Sequence, residues 1–409
     1  MKIRVFLCFI NGIFIYASER INLSILTPLY PLETKQRGIE NIWIGLIMSA
    51  TDMFGLFMTF IIPTIVNSFN QRFFYIFNAF LTGILILLFG FASFLHSNTC
   101  YIVTCYVLRC LNGAAVGFVY TATIPVLSNA CEIKPVVVVA ATQAAFGLGF
   151  ALGPTVGSLL YSVGGYALPF IAFGAFEVLL SWIAIFVTPQ YKETKGDQIS
   201  VEKISKYEFL EYIQHKKLVI FTLPLLCQYV YSGLTDAGIA IFIYEHFNFD
   251  QSSNYIFFSF TGFGYIFVSI VVAHFSSKGR KWIHCQLILA YALCAAYCLS
   301  FPAIHFINIL RSIWYLFVAL FANCTISIIL PVCTYYKFQE LAAFASESRN
   351  MLVASTWSMF VRSLGRLIGT FLFGGILFEL CGFSLVNLYL GLIILICCIF
   401  PAIVLFREV

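Results

Sequence analysis

Charged residues are scarce in this chain. Asp, Glu, Lys and Arg together make up only 10% of the 409 residues, whereas about 25% is usual in soluble domains. Hydrophobic residues make up 61%, and apolar runs recur from one end of the chain to the other. This distribution excludes a soluble globular domain and a protein held by a single anchor. The sequence therefore predicts an integral membrane protein with many spans.

Enzyme and nucleotide-binding motifs are also missing. The six histidines are scattered, and neither a CxxC nor an HExxH pattern occurs. No lysine follows a glycine run as in a phosphate-binding loop. We therefore expect no enzyme, no metal, no cofactor and no ATP-driven transport. The net charge of +5 is spread between the apolar runs, so we expect no nucleic-acid partner either.

Apolar periodicity predicts twelve membrane-spanning helices. Their connections are short except for residues 189–216, the only long polar segment, which separates six helices from six. We therefore predict an N-terminal six-helix bundle over 1–188, a cytoplasmic linker over 189–216 and a C-terminal six-helix bundle over 217–409. The predicted helices lie near 4–30, 42–66, 73–95, 101–127, 136–162, 167–188, 217–244, 253–274, 282–303, 311–335, 351–378 and 384–406.

The distribution of Lys and Arg predicts the orientation. If both termini are cytoplasmic, the inner loops and ends hold sixteen of these residues and the outer ones hold three. Such an excess is typical of the cytoplasmic side. The first residues also look like a secretory signal, with basic residues, an apolar core and small residues at the end. Because the apolar run resumes at Ile21 and continues to Tyr30, we expect an uncleaved first helix.

The two halves of the sequence echo each other at one spacing. Ser18-Glu19 and Thr235-Asp236 are each a hydroxyl followed by an acid, and they lie 217 residues apart. Gly157 and Gly374 share that offset, as do Gly45 and Gly262. Agreement in three helix pairs predicts an internal repeat.

The fifth predicted helix is rich in small residues. Gly149, Gly153 and Gly157 follow each other at intervals of four, and Pro154 lies among them. Small residues at this spacing let a second helix approach to backbone distance in a membrane, and neighbouring helices can accommodate the proline. We expect these residues to form a seam along which helices move.

Ionisable residues within spans are costly, so each is a candidate for function. Seven qualify: Glu19, Asp52, Arg109, Glu177, Asp236, Arg362 and Arg366. By the repeat, Glu19 and Asp236 occupy equivalent places beside a central cavity. Two carboxylates in such a cavity can hold protons or an organic cation, but not both fully. A buried guanidinium keeps its charge, so we expect Arg109 to pair with Asp52 or Glu19.

Several of these segments resemble the major facilitator superfamily. The pattern Gly149-x3-Gly153-Pro154-x2-Gly157 is similar to the fifth-helix signature of its antiporters. The runs LLYSVGGYALPF and ERINLSILTPLYP resemble its vesicular polyamine and amine transporter branch, as does the segment around Asp236. The spacing from Arg109 to Asn112 looks like a fourth-helix motif linked to proton coupling, and Gln143 stands where relatives often have an acid.

The resemblance also has departures. The loop between helices 2 and 3, expected to latch the halves, keeps Arg72 but has Asn67 and Asn70 in place of the motif's acid and glycine. The equivalent loop between helices 8 and 9 keeps Gly279, Arg280 and Lys281. Arg20 stands beside Glu19, where a neutral residue is expected. Arg362 and Arg366 lie four apart on the eleventh helix, which would give a cavity a positive lining.

The resemblance implies an all-α integral membrane protein with twelve transmembrane helices in two pseudo-symmetric six-helix bundles, the major facilitator fold. It implies a monomeric multi-pass transporter, in a vesicular or plasma membrane, that exchanges protons for a small organic cation. Glu19 and Asp236 would bind cation or proton, and Arg109 would tune coupling. Two alternatives stay open. One is a carrier of a neutral or anionic solute, favoured if Arg20, Arg362 and Arg366 line the cavity. The other is a non-transporting receptor or scaffold.

Overall fold

The computed structural model describes residues 2–39, 41–66, 71–189, 212, 214–247, 254–303, 313–342 and 347–408. Within these ranges the chain forms twelve α-helices. They are α1 (Lys2–Gln36), α2 (Asn41–Val66), α3 (Gln71–Phe91), α4 (Asn98–Cys131), α5 (Pro135–Gly164), α6 (Ala167–Val187), α7 (Lys216–Phe247), α8 (Asn254–Ser276), α9 (Arg280–Ala303), α10 (Ile313–Leu341), α11 (Glu347–Leu367) and α12 (Phe378–Glu408). A 3₁₀ turn, Ala92–Phe94, follows α3.

The helices follow from the apolar runs, and the number of helices is as predicted. The first predicted helix is longer than expected, because α1 continues to Gln36 through the polar residues after Pro31. The predicted break at 379–383 is wrong. A π-helix over Ile368–Leu377 instead leads directly into α12. Wide turns of this kind occur as insertions within longer helices.

Eight of the helices contain stretches long and apolar enough to cross a membrane. Many large apolar side chains point outward, among them Phe57, Trp182, Phe267 and Phe400. In water such a surface would be a liability, but in a bilayer it faces hydrocarbon. The described helices α1–α6, here the N-half, and α7–α12, here the C-half, fit the two predicted bundles. The boundaries of 1–188, 189–216 and 217–409 stay a prediction, since most of the linker lies outside the described residues.

The two halves contact each other mainly through α5 with α8 and α2 with α11, and less extensively through α4 with α11 and α5 with α10. These contacts extend to the end of the molecule that holds the linker and both termini, here the linker end. There Phe60 and Phe360 pack edge to face with ring centroids 5.6 Å apart. Ile62 and Leu352 share a buried apolar cluster. The structure is therefore closed between the halves at the linker end.

Candidate functional site

A cavity lies between the halves, at the middle of the helices. In this closed form the room inside it for water-sized molecules is about 40 Å³, which is enough for a few waters. Four helices line it: α1 with Glu19, Arg20, Asn22 and Leu23; α2 with Thr51 and Asp52; α4 with Arg109, Asn112, Gly113, Val116 and Tyr120; and α11 with Met359 and Arg362.

Four of the predicted site residues meet in this cavity: Glu19, Asp52, Arg109 and Asn112. Glu19 is only 5% exposed, and its Oε1 has no hydrogen-bond partner among the described residues. Arg109 and Asn112 are also buried, at 8% and 6% exposure. The α4 backbone comes close to α2 here, because a Cβ on Gly113 would collide with the Thr51 backbone. This close approach brings the polar side chains of both helices to one wall.

Asp52 forms an ion pair across the two halves. The Nε of Arg366 lies 3.4 Å from the Oδ2 of Asp52. Arg366 is on α11, so the expected pairing of Asp52 or Glu19 with Arg109 is not what the structure shows. The Nε and Nη2 of Arg109 have no hydrogen-bond partner among the described residues. Arg109 is thus held near the two acids without a direct ion pair to either of them.

Arginines dominate the charge of the described cavity wall. Arg20, 2% exposed, lies over the ring of Phe146 at 4.3 Å from the centroid and over Tyr120 at 5.1 Å. The guanidinium of Arg362 also lies over the Tyr120 ring, 4.5 Å from its centroid. Its Nη1 donates to the Tyr16 hydroxyl at 3.3 Å. Arg20 and Glu19, although adjacent in sequence, both line the cavity. The wall therefore carries three arginines against two acids.

Two other predicted site residues are not placed in this cavity. Gln143 lies on α5, partly buried, and is not among the residues that line the cavity. Asp236 falls within α7, but its side chain lies outside the described residues. The expected pairing of Glu19 and Asp236 across the cavity therefore stays a prediction.

The glycine stripe of α5 faces a helix of the same half. A Cβ on Gly149 would collide with Arg20, one on Gly153 would collide with Ser24, and one on Gly157 would lie 2.9 Å from Ile25. All three neighbours are on α1. Pro154 lies inside α5 next to this contact. The stripe thus packs α5 against the helix that carries Glu19, and whether it moves as a seam stays a prediction.

The contact of α5 with the C-half involves a different glycine. Gly147 lies against Gly262 of α8, where a Cβ on Gly262 would lie 2.6 Å from the Gly147 oxygen. The rings of Phe146 and Tyr265 stack beside this point, with centroids 5.1 Å apart. The sequence repeat identified Gly262 through Gly45, but the repeat carries no information about its packing against Gly147.

The predicted latch residues lie at the linker end. Arg72 donates from Nη2 to the Ile185 carbonyl at 2.6 Å, and the rest of that motif, residues 67–70, lies outside the described residues. Gly279 adopts a φ of 126°, which favours glycine. Arg280 pairs with Glu340 of α10 at 3.3 Å, while Lys281 is exposed. Their role as a latch stays a prediction.

Lys134, which belongs to none of the predicted motifs, makes a polar contact between the halves at this end. The Nζ of Lys134, at the start of α5, donates to the carbonyl of Ser277 at 3.2 Å. Ser277 directly follows α8. This bond crosses from the N-half to the C-half beside the predicted latch.

Comparison with known proteins agrees with the fold and with the paired halves. The sequence pattern of the Major Facilitator Superfamily matches residues 12–370 of this chain. The chain therefore belongs to the major facilitator superfamily, which confirms the resemblance and the twelve-helix fold. It is a multi-pass membrane transporter of that family.

Individual relatives share about a quarter of their aligned residues with this chain. The chain is 25% identical over 374 residues to the MFS-type transporter SLC18B1 of the mouse, covering 88% of this chain and 78% of the relative. It is 24% identical over 371 residues to the human SLC18B1, with the same coverage of both chains. The crystal structure of the human organic anion transporter MFSD10 (TETRAN) matches with a TM-score of 0.70 at 15% identity, over 96% of this chain and 97% of that one. At that identity the match supports the fold alone.

Proposed function

We propose that this chain moves a small organic solute across a membrane by alternating access, and that it couples this movement to protons. The observation that carries the proposal is the central cavity, whose buried and half-buried ionisable side chains come from both halves. Ionisable groups at membrane depth are costly and mark substrate and proton paths. When two halves rock about a central site, that site opens to one side of the membrane at a time.

The charge of the described wall favours a solute with an anionic group. Arg20, Arg109 and Arg362 line the cavity, and one of the two acids, Asp52, is already paired with Arg366. Arg20 and Arg109 each have two guanidinium nitrogens without a partner among the described residues. A carboxylate matches the fork of guanidinium donors and can accept two hydrogen bonds from it. An organic anion would thus satisfy donors that the protein leaves free.

The same geometry sets the direction of proton coupling for an anion. An ionised Glu19 carboxylate would be attracted to the arginines that the solute needs, because Glu19, Arg20 and Arg109 share the cavity. An anion therefore binds best when Glu19 carries a proton. Such coupling is reciprocal, so a bound anion also favours protonation of Glu19. Proton and anion would then cross in the same direction.

An organic cation is the second candidate, in line with the resemblance to the vesicular amine branch. Glu19 lines the cavity and its Oε1 has no hydrogen-bond partner among the described residues, and Asp52 and Tyr120 lie on the same wall. A cation and a proton would compete for Glu19, so they would cross in opposite directions. The direction of coupling thus separates the two candidates.

Uptake in reconstituted vesicles tests both candidates. Purified protein is offered labelled carboxylates and labelled mono- and polyamines under imposed pH gradients. We expect carboxylate uptake with proton co-movement, reduced about 10-fold to 100-fold by Arg362→Gln, since a hydrogen bond to a charged group contributes about 1.5–3 kcal/mol. Arg4→Gln, at an exposed position of α1 outside the cavity, serves as the matched control.

Two other outcomes would overturn the anion proposal. Amine uptake driven by proton counter-movement would replace the anion proposal with the cation one. Ligand binding without flux of any solute would contradict transport and favour a receptor. The vesicular or plasma-membrane location, the cytoplasmic termini and the monomeric state are further predictions that these vesicles do not address.

A further inference from the structure

A second buried carboxyl group lies directly behind the cavity wall. Glu177 on α6 is fully buried, at 0% exposure. Its Oε1 accepts from the Thr82 hydroxyl of α3 at 2.6 Å, and its Oε2 accepts from the Asn22 amide of α1 at 2.9 Å. Asn22 lies one helical turn after Glu19 on α1, so its bond to Glu177 brings the carboxyl group of Glu19 beside that of Glu177, and the two share a hydrogen bond. Three helices of the N-half therefore converge on this one side chain.

No described cation neutralises Glu177. Glu177 takes part in no ion pair with a described residue. Thr82 and Asn22, which donate hydrogen bonds to its oxygens, are neutral. Two ionised carboxylates in contact in a low-dielectric interior would repel each other strongly. The contact between Glu19 and Glu177 therefore requires a proton.

The hydrogen bonds indicate which carboxyl group holds that proton. A carboxylate only accepts hydrogen bonds, whereas a protonated carboxyl group donates one. Both oxygens of Glu177 already accept bonds from donors fixed on other helices. Glu19 thus carries the proton and donates the hydrogen bond, and Glu177 is the carboxylate that accepts it.

Glu19 also has a second set of neighbours. It lines the cavity together with Arg20 and Arg109, and its Oε1 is free of partners among the described residues. A protonated Glu19 bonds to Glu177, and an ionised Glu19 is attracted to the arginines instead. The Glu19 side chain therefore has two sets of partners, Glu177 and the arginines, and one proton decides which set it contacts.

We propose that Glu177 and Glu19 form a carboxyl pair that holds one exchangeable proton, and that Glu177 is the positioning residue that keeps this proton on Glu19. As the proton site of the transport cycle, the pair rests on the proposed function. Asn22 borders the main cavity and also a smaller one between α1, α3, α4 and α6. Small spaces with room for water thus lie on both sides of Asn22, beside the pair.

Other titratable and charged groups face the pair from the surrounding helices, and each contributes to its proton affinity. These are Tyr16 and Arg20 on α1, Asp52 on α2, Tyr75 on α3, Arg109 and Tyr120 on α4, and Arg362 on α11. The arginines favour release of the proton and the acid opposes it. These groups are present in both the wild type and the Glu177 variant. A difference in proton binding between the two proteins therefore reports on the Glu19–Glu177 pair.

Infrared difference spectroscopy of the purified full-length protein tests the pair without any solute. Wild-type protein should show the carbonyl band of a buried protonated carboxyl group that persists near neutral pH. Both Glu177→Gln and Glu19→Gln should lose this band, and Glu132→Gln, at an exposed carboxyl, should keep it. Glutamine at 177 retains the size of the side chain and one acceptor oxygen. Thr82→Val, which removes only one donor to Glu177, should shift the pH at which the band disappears.

Proton flux in vesicles separates this inference from the proposed function. If Glu177→Gln keeps the infrared band, the pair is refuted, whatever the transport result. If wild-type protein shows the band but moves no protons with any solute, the proposed coupling fails and the pair is left as a structural proton site. If both hold in the wild type, Glu177→Gln should flatten the pH dependence of uptake while solute-for-solute exchange continues.

Discussion

Breaking the ion pair between Asp52 and Arg366 should open the linker end. The pair joins α2 to α11, and the Arg366 side chain is 6% exposed while that of Asp52 is 20% exposed. Removing one partner of a buried pair leaves an uncompensated charge and costs about 3–5 kcal/mol. The 3.4 Å separation and the partial exposure of Asp52 place this pair at about 3 kcal/mol or below. Asp52→Asn should therefore shift the balance between closed and open forms by up to about 150-fold.

Electron-spin distance measurements can follow this shift. Spin labels on cysteines at Glu132 and Lys278, both exposed at the linker end, report the separation of the halves once exposed Cys100 and Cys285 are replaced. Wild-type protein should give one short distance, and Asp52→Asn should add a longer one.

Two further variants make the distance measurement specific. Combining Asp52→Asn with Arg366→Gln also removes the positive charge that has lost this carboxylate, and should restore part of the short population. Glu33→Gln breaks the Glu33–Arg37 ion pair within the N-half, so it should change nothing at the linker end. A distance distribution for Asp52→Asn identical to that of the wild type would refute the reasoning.

Two smaller effects follow from the packing. Gly153→Ala should lower thermal stability by about 1–3 kcal/mol, because its Cβ would collide with Ser24, whereas Gly117→Ala should be tolerated, since its nearest contact would be an ordinary 3.6 Å. Melting curves that rank the two alanines the other way would contradict the packing. Lys134→Ala removes the bond to Ser277 at an exposed site and should shift the balance between closed and open forms by at most about 1 kcal/mol, which the label distances report. A shift as large as that of Asp52→Asn would show that this bond dominates the closure.

Much of the fold could be predicted from the sequence because each span carries its own signal. Apolar length predicts a helix wherever the chain must satisfy its backbone within a bilayer. The cost of burying charge likewise selected Glu19, Asp52 and Arg109, which the structure brings to one cavity. Both arguments need only the local sequence, so they do not depend on how the helices pack.

The pairing of these residues could not be predicted in the same way. Asp52 meets Arg366 because α2 packs on α11, and Glu177 meets Glu19 because α6 packs on α1. Such contacts depend on the rotation of each helix about its axis, which spacing within one helix does not report. The glycines of α5 show the same limit. Their spacing predicted a close helix contact, but only the packing identifies α1 as the partner of Gly153.

The π-helix over Ile368–Leu377 begins directly after Leu367, the last residue of α11. Arg366 keeps its bond to Asp52 just before it, and Gly369 lies against α7 within its first turn. A π-turn closes over one more residue than an α-turn, so this segment takes more residues for each turn than an α-helix does. Its return to α geometry would therefore rotate the residues that follow it about the helix axis. Those residues would then present another face to their surroundings while the charged bond between α11 and α2 stays in place.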